Sequence, residues 1–88
     1  MKIRLEMPDV TSLKDKRRRL KSMMARLRNQ FNISIAEVSD NDRHRVATIG
    51  ASIVSNETKY GHQVLAQVVN KIEANPEVIL GEYSTETY

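Results

Sequence analysis

The chain has 88 residues, 40% of them hydrophobic and 28% charged, with a net charge of +3; this composition fits one small soluble domain and argues against disorder. The sequence contains no cysteine, which excludes disulfides, thiol catalysis and cysteine-ligated zinc and is compatible with a cytoplasmic location. No apolar run approaches the roughly 20 residues of a membrane span, and the opening MKIRLEMPD lacks the continuous apolar stretch of a signal peptide, so neither a membrane nor an export route is expected.

Lys2 to Met7 alternates strictly, with Ile3, Leu5 and Met7 on one side and Lys2, Arg4 and Glu6 on the other. That period of two predicts a half-buried strand, which Pro8 ends because it has no N–H for a ladder. Ser12 reads as a helix N-cap with Asp15 as a shortened capping box. The helix is expected to run to about Gln30, with Leu13, Leu20, Met24, Leu27 and Phe31 on one stripe and Met23 at its edge. Asn32 to Val38 predicts a second strand, and the polar run Ser39 to His44 a hairpin loop. Arg45 to Ser55 predicts a third strand with Ala47, Ile49, Ala51 and Ile53 inward and Val46, Thr48, Gly50, Ser52 and Val54 outward. Ser55 or Asn56 is expected to cap a second helix from about Glu57 to Ala74, with Val64, Leu65, Val68, Val69 and Ile72 on its stripe and Gly61 allowing close approach to the sheet. Asn75-Pro76 stops that helix, and Val78 to Thr87 predicts the last strand.

The order is β-α-β-β-α-β. Two helices of this size cannot bury their stripes on each other alone, so they need a sheet. The expected fold is α+β and ferredoxin-like: a four-stranded antiparallel sheet with two helices on one face and the other face open.

Charge is concentrated in Ser12 to Arg28, SLKDKRRRLKSMMARLR. Eight cations stand there against the single acid Asp15, a surplus of seven, so the rest of the chain is at −4. Such asymmetry points to a polyanion or an acidic surface as partner. On a helical projection Lys14, Arg17, Arg18, Lys21 and Arg28 fan along one flank of the apolar stripe, and Lys16, Arg19 and Arg26 lie on the other side. The core claims the stripe, so the cations are expected to face water.

The segments SLKDKRRRLKSMMARLRNQFNISIAEV (Ser12–Val38) and ATIGASIVSN (Ala47–Asn56) resemble the YlxP-like family of small bacterial proteins. Its signature is similar to SLKDKR, then a basic helix ending in LRNRF, then NVSVAEV, with an AT-hydrophobic-G strand ending in SN. Ser12 to Arg17 match the first element, and Leu27, Arg28, Asn29 and Phe31 the second. The resemblance implies a ferredoxin-like fold. It also implies a link to translation, because genes of this family often lie beside those of a translation initiation factor and a ribosome-binding factor. This chain departs from the family at two places. His44 stands where relatives usually carry an aromatic in the hairpin, and Val46 where they tend to have arginine before the AT pair.

Phosphate contact is the functional reading of the basic helix, and its candidates are Lys14, Lys16, Arg17, Arg18, Lys21 and Arg28. The competing reading is a solvated face, but such faces usually intersperse acids at i±4. Arg17 stands close to the stripe and is equally suited to covering the core edge or pairing with Glu37 or Glu6. RNA-recognition motifs share this element order and stack bases on aromatics of the central strands. Here the aromatics are Phe31, Tyr60, Tyr83 and Tyr88, none on a central strand, so contact with RNA should be backbone-directed.

RNA or the ribosome is therefore the expected partner. A protein–protein adaptor without nucleic acid is the rival. A homodimer through the open face is a third reading, since Ala36, Val38, Val46, Thr48, Ser52 and Val54 look smooth and poorly charged. A small-molecule sensor is weaker still. No catalytic residue, metal site or cofactor is expected. His44 and His62 lack ligand spacing, Asp40 and Asp42 lack the rest of a calcium loop, and Gly50, Gly61 and Gly81 form no phosphate loop.

Overall fold

The computed structural model describes residues 1–87; Tyr88, one of the four aromatics, lies outside the described residues. The elements are β1 (Lys2–Glu6), α1 (Leu13–Gln30), β2 (Ser34–Ser39), β3 (Val46–Ser52), α2 (Thr58–Glu73) and β4 (Ile79–Ser84). The strands form one antiparallel sheet in the order β2-β3-β1-β4. This is the expected ferredoxin-like arrangement, with β1 and β3 central and β2 and β4 at the edges.

The period of two in β1 is realised as predicted: Ile3 and Leu5 are fully buried while Lys2, Arg4 and Glu6 are exposed. They join Ala47, Ile49, Leu20, Met23, Leu27, Val68 and Ile72 in one core between the sheet and both helices. Each of these side chains other than Ala47 contributes about 1.5–3 kcal/mol by leaving water. Ile53 stands beyond β3 and is only half-buried.

Both edge strands carry register shifts. In β2 the pairing slips between Glu37 and Ser39, and in β1–β4 it slips between Ile3 and Leu5. Gly81 belongs to the second irregularity, where an added Cβ would come within 3.0 Å of the Arg4 carbonyl oxygen. Gly61 is different. An added Cβ there would meet Ile53 Cγ2 at 3.6 Å, an ordinary contact, so close approach is not what asks for glycine.

The helix starts differ as well. Ser12 Oγ accepts from the Asp15 N–H at 3.1 Å, as expected of an N-cap. α2 is instead capped by the Glu57 backbone, with no side-chain bond. Ser55 makes a local turn, accepting from the Glu57 N–H at 3.1 Å.

The open face is less uniform than its β2 and β3 residues suggest. Lys2, Arg4 and Glu6 run down its middle, Thr48 is buried, and Val54 lies beyond the end of β3. No helix among the described residues is long and apolar enough to cross a membrane.

Candidate functional site

Half of the eight cations of α1, Lys16, Arg18, Arg19 and Arg28, are engaged within the protein. Asp15 turns away from the capping box and binds Arg18, whose Nη2 lies 2.7 Å from its Oδ1, and Arg19 at 3.3 Å. Arg19 reaches across to the β1–α1 loop and the lead-in to β4. It donates to both carboxylate oxygens of Asp9, at 3.0 and 2.9 Å, and to the Glu77 carbonyl at 3.0 Å. The Arg19 hydrogen bonds hold the Asp9 carboxyl below its ordinary pKa. Glu77 Oε2 adds weaker attraction to Arg18 at 3.6 Å and to Arg19 at 3.8 Å. This cluster ties the end of the sheet to the first turns of α1, which is a structural role.

Lys16 corrects the expectation most sharply. Its charge groups it with the cations expected to contact phosphate, yet it is fully buried. Its Nζ donates to the carbonyls of Asp40 and Arg43 at 2.7 and 2.6 Å and sits 2.8 Å from Glu37 Oε2 in an ion pair. Two carbonyls accept from the ammonium and the Glu37 carboxylate balances its charge, the pairing a buried charge requires. No external phosphate reaches this group in the folded protein. The partner expected for Arg17, Glu37, is real, but the cation that takes it is one residue earlier.

Asp40, the residue Lys16 holds, is the hub of the β2–β3 loop. Its φ of 63° is left-handed, a conformation that aspartate tolerates better than most residues. Its Oδ2 accepts from Thr48 Oγ1 at 2.7 Å, and its Oδ1 lies 3.6 Å from Arg43 Nη1. The Thr48 bond, helped by the charges of Arg43 and Arg4, lowers the Asp40 pKa against the opposing effect of burial.

What remains is a narrower set. Lys14, Arg17 and Lys21 are exposed and make no hydrogen bond or ion pair among the described residues. With Arg28 they fall within about 60° of one another around the helix axis, a single row. Arg28 is exposed but spends one N–H, donating from Nη2 to the Ile35 carbonyl at 2.7 Å. Arg18 stays 61% exposed although it is paired. Of the six predicted contacts, the structure therefore brings Lys14, Arg17, Lys21 and Arg28 together, places Arg18 at their margin, and removes Lys16. Among the described residues, no three His, Cys, Asp or Glu side chains group to hold a metal ion.

The fold and this helix define a small ferredoxin-like α+β protein whose first helix carries a row of uncompensated cations. The chain belongs to the family described as "Protein of unknown function (DUF503)", whose pattern matches residues 1–85. It is also 34% identical over 70 residues to the uncharacterized protein YlxP of Bacillus subtilis (strain 168), a match spanning 80% of this chain and 76% of that one.

Proposed function

We propose that this is a non-enzymatic, cytoplasmic RNA-binding protein that meets the ribosome, or an assembly intermediate of it, through the exposed face of α1. The observation that carries this reading is the unpartnered row Lys14, Arg17 and Lys21. The chain brings three distant carboxylates, Asp9, Glu37 and Glu77, to Lys16, Arg18 and Arg19. It brings none to this row. Like charges held side by side on a helix repel, so the row is retained at a cost in stability and is suited to phosphate. β1 and β3 carry no aromatic side chain. Recognition would therefore follow backbone charge, with little preference for sequence.

Cosedimentation with ribosomal subunits at two salt concentrations tests the reading. Contacts to three or four phosphates of a single strand give a log K against log salt slope of about −2 to −3. The K14E/R17E/K21E variant should lose binding and keep its circular dichroism spectrum. Binding indifferent to both salt and charge reversal rules the reading out.

A second reading is a homodimer or protein adaptor using the open sheet face. It is favoured by Val38 and Ile79, which are 54% and 51% exposed. Partner capture that survives nuclease treatment and the α1 variant would support it.

A further inference from the structure

The β2–β3 loop, residues 40–45, stands at the end of the sheet where α1 begins, and it presents Arg43, His44 and Arg45, all exposed. We propose that this hairpin tip is the second half of the RNA-contacting surface, held against α1 by the buried ammonium of Lys16 so that one strand of RNA meets both elements. The inference rests on the RNA reading above and adds to it a second contact region and a role for Lys16.

The loop is unusually well fastened. Lys16 Nζ grips the carbonyls of Asp40 and Arg43 at 2.7 and 2.6 Å. The Arg43 N–H donates to the Asp40 carbonyl at 3.1 Å, closing the turn. The Met7 N–H donates to the Arg45 carbonyl at 2.8 Å, and Arg45 Nε donates to the Val10 carbonyl at 3.1 Å. The loop is thus pinned at its start, middle and end, to the helix and to the segment leading into it. A loop ordered in advance loses little conformational freedom on binding.

Its charges are sorted as well. Asp40 accepts from Thr48 at 2.7 Å and its other carboxylate oxygen lies 3.6 Å from Arg43 Nη1, which leaves the Arg43 side chain 60% exposed. Asp42 is exposed and does not line the depression at the start of α1. That depression, of about 410 Å³, is lined by Thr11, Arg43, His44, Arg45 and Val46 and by no carboxylate. It lies at the start of the helix that carries Lys14 and Arg17. A hydroxyl, two guanidinium groups and an imidazole offer hydrogen-bond donors suited to phosphate oxygens. No Phe, Tyr or Trp lines it, and His44 supplies the one ring among its lining residues on which a base could stack.

The probe is single-stranded oligouridylate of roughly twelve nucleotides, a length typical of such sites. The variant is R43Q/H44Q/R45Q, with folding checked by circular dichroism. Affinity should fall about 10-fold, and the salt slope should become shallower by about 0.7 for each phosphate no longer engaged. Amide resonances of residues 42–45 should shift together with those of residues 14–21 as the oligonucleotide is added. If K14E/R17E/K21E abolishes binding while the hairpin variant keeps full affinity and slope, with shifts confined to α1, the hairpin inference is wrong and the RNA reading stands. If neither variant changes binding, both are wrong.

Discussion

Replacing Lys16 by methionine probes the buried strut directly. Methionine matches the length and flexibility of the lysine stem, so packing is largely kept and the charge is removed. The Glu37 carboxylate, only 15% exposed, would lose the ammonium 2.8 Å away. The Arg43 carbonyl would lose its 2.6 Å donor, while the Asp40 carbonyl keeps the Arg43 N–H. Stranding one member of a buried ion pair costs about 3–5 kcal/mol. Against a total stability of roughly 4–13 kcal/mol for a chain of 88 residues, that is about a quarter or more of what holds the fold together. Urea unfolding followed by far-ultraviolet circular dichroism reads the loss. K16M/E37M removes the stranded charge and should recover about 2 kcal/mol or more, as apolar replacements of whole buried pairs do. Should K16M fail to fold, E37Q gives a milder test, at about 1–2 kcal/mol for a weakened charged contact. A K16M loss below about 1 kcal/mol, less than one charged hydrogen bond, would show that the ammonium is not committed to the interior and is free to meet partners.

Other expectations follow from the same structure. Ser12→Ala removes the cap on the Asp15 N–H and should cost about 1 kcal/mol in urea titration. Gly81→Ala places a Cβ against the Arg4 carbonyl and should cost about 1–3 kcal/mol, since backbone on both sides gives little room to relax. Acid should loosen the protein through Asp9 and Asp40, whose folded-state pKa values are lowered by the Arg19 and Thr48 hydrogen bonds respectively. Their contribution is present above the ordinary aspartate value of about 3.9. It is lost as the pH falls from there through the lowered folded-state values. Thermal melts of D9N and D40N should therefore depend less on pH than the parent between about pH 4 and pH 2; unchanged dependence would refute the assignment.

The fold is legible in the sequence because its signals are local and redundant. Alternation in β1, the Ser12 cap and the Asn75-Pro76 stop each act within a few residues and reappear in the structure, while the α1 stripe is rotated toward Lys16 and Met23, with Leu13, Met24 and Phe31 only half-buried. Lys16 misleads for an instructive reason. At 100° per residue it projects between Leu20 and Met23 and one row from Leu27, inside the apolar stripe. Its charge outweighs its position when the helix is read as a charge run. A cation within a helix's apolar stripe is a signal of a buried partner, and Glu37 is the acid to look for. Arg19 offers no comparable clue, because its partners Asp9 and Glu77 lie 10 and 58 residues away and meet it only once the sheet has formed. The second-helix cap fails for a simpler reason. Ser55 is a good cap by type, but its hydroxyl is used by the Glu57 turn before the helix starts.

Arg28 also acts at the edge of the sheet. Ala51 exchanges both backbone bonds with Met1, so Ile35 opposite it turns its own peptide groups toward the outer edge of β2. Arg28 already occupies that outward carbonyl, at 2.7 Å, and the shift after Glu37 breaks the regular spacing of the edge. A strand arriving from another molecule would have to displace a guanidinium and then fit an irregular ladder. The same side chain that extends the cationic row therefore guards the β2 edge against strand addition. Under the RNA reading proposed above, copies gathered along one polyanion would meet at the β2 edge without pairing strands there.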